Sequence, residues 1–219
     1  MNFVLIHGGA HGAWCWSRLA TKLAEAGHAA IAMDLPCEDD GAGSADYAEV
    51  VLTAAASLRE PPVLVAHSLG GLTAPIVARA SGARCLVLLS ALLPQPGKSF
   101  RDQQAEEEIM FPYRGGIAGL RDRFFNHCDP ADADWAMERL RRQSETPFVE
   151  LAPLDAWPEV PTHYVLATDD RAVRPDWSRR AARERLGIEP LELVGSDHSP
   201  FLSRPDVLAR TLIELAESA

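Results

Sequence analysis

The chain has 219 residues, 47% of them hydrophobic and 24% charged, with a formal net charge of −10. That is enough chain to bury one sizeable core. The acidic balance excludes nucleic acid and anionic membrane as partners, because both require a basic face.

The opening N-F-V-L-I-H-G-G places a strand at Phe3–Ile6. Its apolar run is too short for a secretory signal and has no basic leader. No stretch reaches the roughly 20 apolar residues of a membrane helix, so a cytoplasmic protein is expected. A helix follows over Trp14–Ala26, stopped by Gly27, and then a second strand over Ala29–Met33 ending at Asp34. Ser44 is a natural N-cap for a helix over Ser44–Arg59, which halts before Pro61-Pro62. The third strand, Val63–Ala66, runs into His67-Ser68-Leu69-Gly70-Gly71, and a helix over Leu72–Ser81 stops at Gly82. A fourth strand is predicted at Cys85–Leu89.

Residues 94–160 hold no convincing strand, yet they carry Phe111, Phe124, Phe125, Trp135, Phe148 and Trp157. A helix is predicted over Ala131–Arg142, and Glu106–Glu108 reads as a solvated helix face. An insertion of this length in an α/β core is uncommon unless it covers something, so it is read as a small helical cap. Strands at Thr162–Ala167 and Pro190–Val194 and helices at Asp176–Leu186 and Pro205–Ala216 complete the pattern. The strand runs are mostly continuous rather than alternating, as in parallel strands covered on both faces. The expected architecture is therefore a single α/β domain over residues 1–219, a mostly parallel, doubly wound sheet of about six strands. Cys15, Cys37, Cys85 and Cys128 are scattered with no C-x-x-C pair, so neither a zinc site nor a disulfide framework is indicated.

Ligands of such sheets bind at the carboxyl ends of the strands. There the sequence gathers His7-Gly8-Gly9, Ser68, Asp169-Asp170 and His198. A serine hydroxyl becomes a nucleophile when a base takes its proton, histidine suits that task, and a carboxylate fixes the imidazole tautomer. The order Ser–Asp–His is one of three known for such triads. Ser68 sits in A-x-S-x-G rather than G-x-S-x-G, with Ala66 adding one methyl to a tight turn. The backbone N–H groups of Leu69 and Gly9 are the expected donors to a developing oxyanion, each worth roughly 3–4 kcal/mol in serine proteases. Spacing alone leaves Asp169 and Asp170 equivalent as the acid. His7 is expected to bond backbone, His67 to point away from Ser68, and Asp34 and Asp197 to hold loops. His11, Trp14, Phe124 and Trp135 are candidate substrate contacts.

A dinucleotide-binding reading of residues 3–34 fails. His7 replaces the first glycine of G-x-G-x-x-G, and Trp14 and Trp16 occupy the place of the pyrophosphate. No metal or organic cofactor is required.

The motifs F-V-L-I-H-G-G-A-H-G-A-W-C-W, A-M-D-L, V-L-V-A-H-S-L-G-G, L-V-L-L-S-A-L-L-P, Y-V-L-A-T-D-D-R-A-V-R-P and G-S-D-H-S-P resemble the plant methylesterases and α-hydroxynitrile lyases of the α/β-hydrolase superfamily, with their bacterial esterase relatives. The likeness covers nearly the whole chain except the cap. It implies Ser68 as nucleophile, His198 as base, Asp170 as acid, Gly9 and Leu69 as oxyanion donors, and a homodimer. The lyase branch carries threonine and lysine where this chain has Gly8 and Ser199. The resemblance therefore implies hydrolysis of a small, largely apolar carboxylic ester. Carbon–carbon or lactone hydrolysis, acyl transfer, and a slow-turnover binder are the alternatives on the same residues.

Overall fold

All six apolar runs form strands, and the computed structural model describes residues 1–219 throughout. The strands are β1 (Asn2–Ile6), β2 (Ala29–Ala32), β3 (Val63–His67), β4 (Cys85–Leu89), β5 (Thr162–Ala167) and β6 (Leu191–Leu193). They lie in the order β2-β1-β3-β4-β5-β6, and every neighbouring pair is parallel. The sheet is thus wholly rather than mostly parallel. β6 is shorter than its apolar run because it is an edge strand, with only Leu191, Glu192 and Leu193 in register against β5.

Strand alternation separates two cores. Val4, Ile6, Leu64, Ala66, Leu86 and Leu88 face one side, packed against Tyr47 and Val51 of α2 (Ser44–Ala55), Val77 of α3 (Gly70–Ser81) and Trp177 of α8 (Pro175–Leu186). Phe3, Leu5, Val63, Val65, Val87 and Leu89 face the other, under Leu19 and Leu23 of α1 (Ser17–Glu25) and Leu208 and Leu212 of α10 (Pro205–Glu217). Both faces are buried, which is why the strand sequences carry no polar alternation. A short 3₁₀ turn at Ala13–Trp16 precedes α1, and a single helical turn, α9 (Pro200–Ser203), precedes α10.

Residues 94–160 contain α4 (Phe100–Glu107), α5 (Gly116–Phe124), α6 (Pro130–Met137) and α7 (Thr146–Val149), with no strand among them. α6 stops at Met137, short of the expected Arg142, because the following backbone turns back to the β1 loop, where Arg141 N–H donates to Ala10 O at 2.8 Å. Glu107 is not part of a solvated face. It accepts from Trp177 Nε1 at 2.8 Å and pairs with the buried Arg185. No helix is long and apolar enough to cross a membrane.

Candidate active site

The chain begins at β1, steps outward to β2, then returns to the other side of β1 as β3. This reversal opens a crevice between the carboxyl ends of β1 and β3, the place where doubly wound sheets bind ligands. The β1 loop and Ser68 meet there.

Ser68 leaves β3 with φ of +51°, a left-handed conformation that costs a non-glycine residue of order 1–3 kcal/mol. The surroundings hold it. Its N–H donates to Leu89 O at 3.1 Å, and its carbonyl accepts from Gly71 N–H at 3.0 Å and Leu92 N–H at 2.9 Å. Two glycines are required by close approach. A Cβ on Gly70 would lie 2.9 Å from His7 O, and one on Gly71 would lie 2.1 Å from Leu92 O. Ala66 makes no such demand: its methyl packs in the core beside Ile6 and Leu88, with which it is in register.

His198 Nδ1 is 2.7 Å from Asp170 Oδ2, and both side chains are buried. The other carboxylate oxygen of Asp170 accepts from the backbone N–H groups of Ala172 at 2.7 Å and Val173 at 2.9 Å. Asp169 turns outward instead and pairs with His127 Nε2 at 3.0 Å. The two adjacent aspartates thus have separate surroundings that spacing could not distinguish. Ser68 Oγ and His198 Nε2 have no hydrogen-bond partner in the chain, so the serine–histidine link is not made in this structure.

His67 packs against Trp16 and Phe201 and lies beside the His198 ring. The ring centroids are 4.5 Å apart, and His67 Nε2 donates to His198 O at 2.9 Å. Burial, reinforced by His198, holds its pKa well below the ordinary value. Asp197 is fully buried and receives His127 N–H at 3.1 Å, Ser199 N–H at 3.2 Å and the Ser203 hydroxyl at 2.6 Å, tying the His198 loop to the 94–160 segment. Asp34 accepts from Ala13 N–H at 2.7 Å, capping the 3₁₀ turn.

On the opposite side of Ser68, His7 Nε2 accepts from Leu35 N–H at 3.0 Å, while its Nδ1 donates to Gly8 O at 2.8 Å. His11 Nδ1 donates to Gly9 O at 2.8 Å. Burial pushes the pKa of His7 down to about 4 and that of His11 down to about 3, so both are neutral donors. The N–H groups of Gly9 and Leu69 donate to no acceptor in the chain.

Ser68, Gly9 and Leu69 line a cavity of about 460 Å³. Its apolar wall is Leu92, Phe100, Met110, Leu120, Phe124 and Phe148, all but Leu92 from residues 94–160. Phe124 also stacks on His198, with centroids 5.6 Å apart and planes at 27°. The other three candidate contacts lie elsewhere. His11 is 1% exposed beneath Phe124, and Trp14 and Trp135 pack edge to face at 5.3 Å outside the cavity. Trp135 also carries the Arg139 guanidinium over its ring at 4.3 Å. Gln143, which no motif singled out, lines the cavity next to Gly9, and its only sequence signal was membership of the inserted segment. No group of three or more His, Cys, Asp or Glu side chains is placed to hold a metal.

The sequence matches the alpha/beta hydrolase family over residues 3–211. Among curated proteins it is 26% identical to methyl jasmonate esterase 1 of Vitis vinifera, covering 99% of this chain and 97% of that one. It is 28% identical to a probable esterase, PIR7A, of Oryza sativa, covering 98% and 96%. Among solved structures, polyneuridine aldehyde esterase superposes with a TM-score of 0.84 at 24% identity, covering 98% of both chains. The match spans both halves of the sheet and the crevice between them, and the chain belongs to the alpha/beta hydrolase family.

Proposed function

We propose that the protein is a serine carboxylesterase acting on small, largely apolar esters. The observation that carries this reading is the surroundings of Ser68. A strained serine opens into an apolar cavity between two unengaged backbone N–H groups, and Phe124 of that cavity stacks on a histidine whose Nδ1 is held by a buried carboxylate. The curated relatives named above are esterases, and the residues 94–160 act here as a cap that walls the acyl site.

Asp170 keeps the His198 proton on Nδ1, leaving Nε2 as the base. Ser68 Oγ bonds to the ester carbonyl carbon as its proton passes to His198 Nε2. The carbonyl oxygen becomes an oxyanion between the N–H groups of Gly9 and Leu69. As the C–O bond to the alcohol breaks, the departing oxygen takes that proton, leaving an acyl-Ser68. Water then adds by the same route and the carboxylic acid leaves. The serine–histidine bond is often long in an unliganded site and tightens with substrate.

Cyanohydrin cleavage is disfavoured by packing as well as by sequence. A Cβ on Gly8 would lie 2.8 Å from His67 Nδ1 and 2.9 Å from Ser68 Cβ, so a threonine there requires both to move. Ser199 is fully buried, and a lysine there would place an unpaired charge in the core.

Ser68→Ala is expected to lower p-nitrophenyl acetate hydrolysis at least about a thousandfold, and a fluorophosphonate is expected to label Ser68 in the unaltered protein. Near-native turnover by the variant refutes the reading.

A further inference from the structure

The β1 loop is a chain of fastened peptide groups with one left open. In the Gly8–Gly9 peptide, the carbonyl accepts from His7 Nδ1 at 2.8 Å and from His11 N–H at 3.3 Å, while the Gly9 N–H is unengaged. In the Gly9–Ala10 peptide both ends are taken. Its carbonyl accepts from His11 Nδ1 at 2.8 Å, and its N–H donates to Gln143 Oε1 at 3.2 Å. Ala10 O then accepts from Arg141 N–H at 2.8 Å. Ala10 itself has φ of +61°, a conformation that alanine does not hold unaided. Two of these clamps, His7 and His11, belong to the loop. Gln143 comes from 133 residues away.

The amide of Gln143 is oriented before it reaches Ala10. Its Nε2 donates to the buried Tyr47 hydroxyl at 3.1 Å and to Ser144 O at 3.1 Å, which leaves Oε1 to face the loop. The same Oε1 would lie 3.5 Å from a Cβ on Gly9, so the amide packs directly against the proposed oxyanion donor.

We propose that Gln143, oriented by Tyr47, is a positioning residue for the oxyanion loop. By fixing the Gly9–Ala10 peptide it keeps the Gly9 N–H aimed at the carbonyl that Ser68 attacks. This rests on the esterase reading above and goes beyond it: the segment that shapes the acyl site also sets the electrostatics of the reaction.

The test is steady-state hydrolysis of p-nitrophenyl acetate by the full chain. Removing one oxyanion donor costs about 10²–10³ in kcat, so a loosened donor in Gln143→Leu is expected to cost about 30–100-fold in kcat. KM should change less than about threefold, and the pH profile of kcat/KM should keep its shape. Tyr47→Phe frees the amide to turn without removing it and should lower kcat about 3–10-fold, again with KM unaltered. The double variant should be no slower than Gln143→Leu alone, because both substitutions act through one hydrogen bond. Three results overturn the inference: kcat within twofold of wild type in Gln143→Leu, a loss confined to KM, or losses that multiply in the double variant. If Gln143→Leu does not fold, Tyr47→Phe decides alone, and an unchanged kcat there is refuting. A wild-type protein without Ser68-dependent ester hydrolysis fails the esterase reading itself. An active wild type with an indifferent Gln143 fails only this inference.

Discussion

Replacing Asp170 with asparagine changes one oxygen to NH₂ with little change in shape, and the hydrogen bonds around it choose which way the amide turns. One carboxylate oxygen accepts from two backbone N–H groups, at 2.7 and 2.9 Å, and the other faces His198 Nδ1 at 2.7 Å. An asparagine that aims its NH₂ at Ala172 and Val173 sets donor against donors and leaves buried N–H groups unpaired, at about 1–3 kcal/mol each. The stable orientation therefore keeps the oxygen on the backbone and points the NH₂ at His198. His198 must then accept at Nδ1 and carry its proton on Nε2, which is the wrong tautomer for a base. The same exchange in a serine protease costs about 10⁴ in kcat, or about 5.4 kcal/mol at 1.36 kcal/mol per decade. Asp170→Asn is accordingly expected to lose about 10⁴-fold in kcat on p-nitrophenyl acetate at about pH 7.5. Its circular dichroism and labelled-backbone NMR spectra should remain native. A folded Asp170→Asn with activity within tenfold of wild type would refute the claim that this carboxylate sets the tautomer.

Acid stability depends on the buried imidazoles. His7 is held near 4 and His11 near 3, and His67 well below its ordinary value, all mainly by burial. The unfolded chain binds protons near pH 6.5 that the folded one refuses. Their contribution is therefore fully present above pH 6.5 and is lost as pH falls toward 4, at up to about 1.4 kcal/mol per pH unit for each histidine. Urea midpoints measured from pH 7.5 to pH 5 should fall, and a flat profile contradicts the burial of these neutral rings. Phe124→Ala, which removes the ring stacked on His198 in the cavity wall, is expected to change kcat/KM for p-nitrophenyl butyrate at least about fivefold. Trp135→Ala, outside the cavity, should leave that ratio within about twofold. The reverse ranking would place the acyl site on the wrong side of α5.

The sheet was legible because parallel strands buried on both faces leave uninterrupted apolar runs, and each run from Phe3 to Leu193 became a strand. The pairing of Asp170 with His198 and the place of Ser68 at the end of β3 were legible for a related reason, since strand ends in one parallel sheet share an edge. Legibility ended where contact depends on side-chain direction or on chain returning from afar. Trp14 and Trp135 are aromatic residues near the site that satisfy one another, and no periodicity separates them from Phe124, which faces the cavity. His67 follows the alternation of β3, packing against Trp16 and Phe201 on the side of Val63 and Val65, but its bond to the His198 loop came only with the fold. Met110 lies between α4 and α5, and Leu120 lies in a short helix without a clear apolar stripe, so their place in the wall came only with the fold.

The hydrogen bonds from residues 139–145 to the β1 and β2 loops bear on how this scaffold can be re-engineered. Arg141 N–H binds Ala10 O, Ser144 N–H binds Cys37 O at 2.7 Å, and the Gln143 amide spans Ala10 and Tyr47. A chimaera that exchanged everything between Leu93 and Pro161 for a foreign segment would receive a new cavity wall and lose three tethers to residues 10–47. Grafting boundaries drawn at Leu93 and Leu140 keep those tethers native. They leave the stretch from α4 through α6, the source of four of the six apolar wall residues, free to vary.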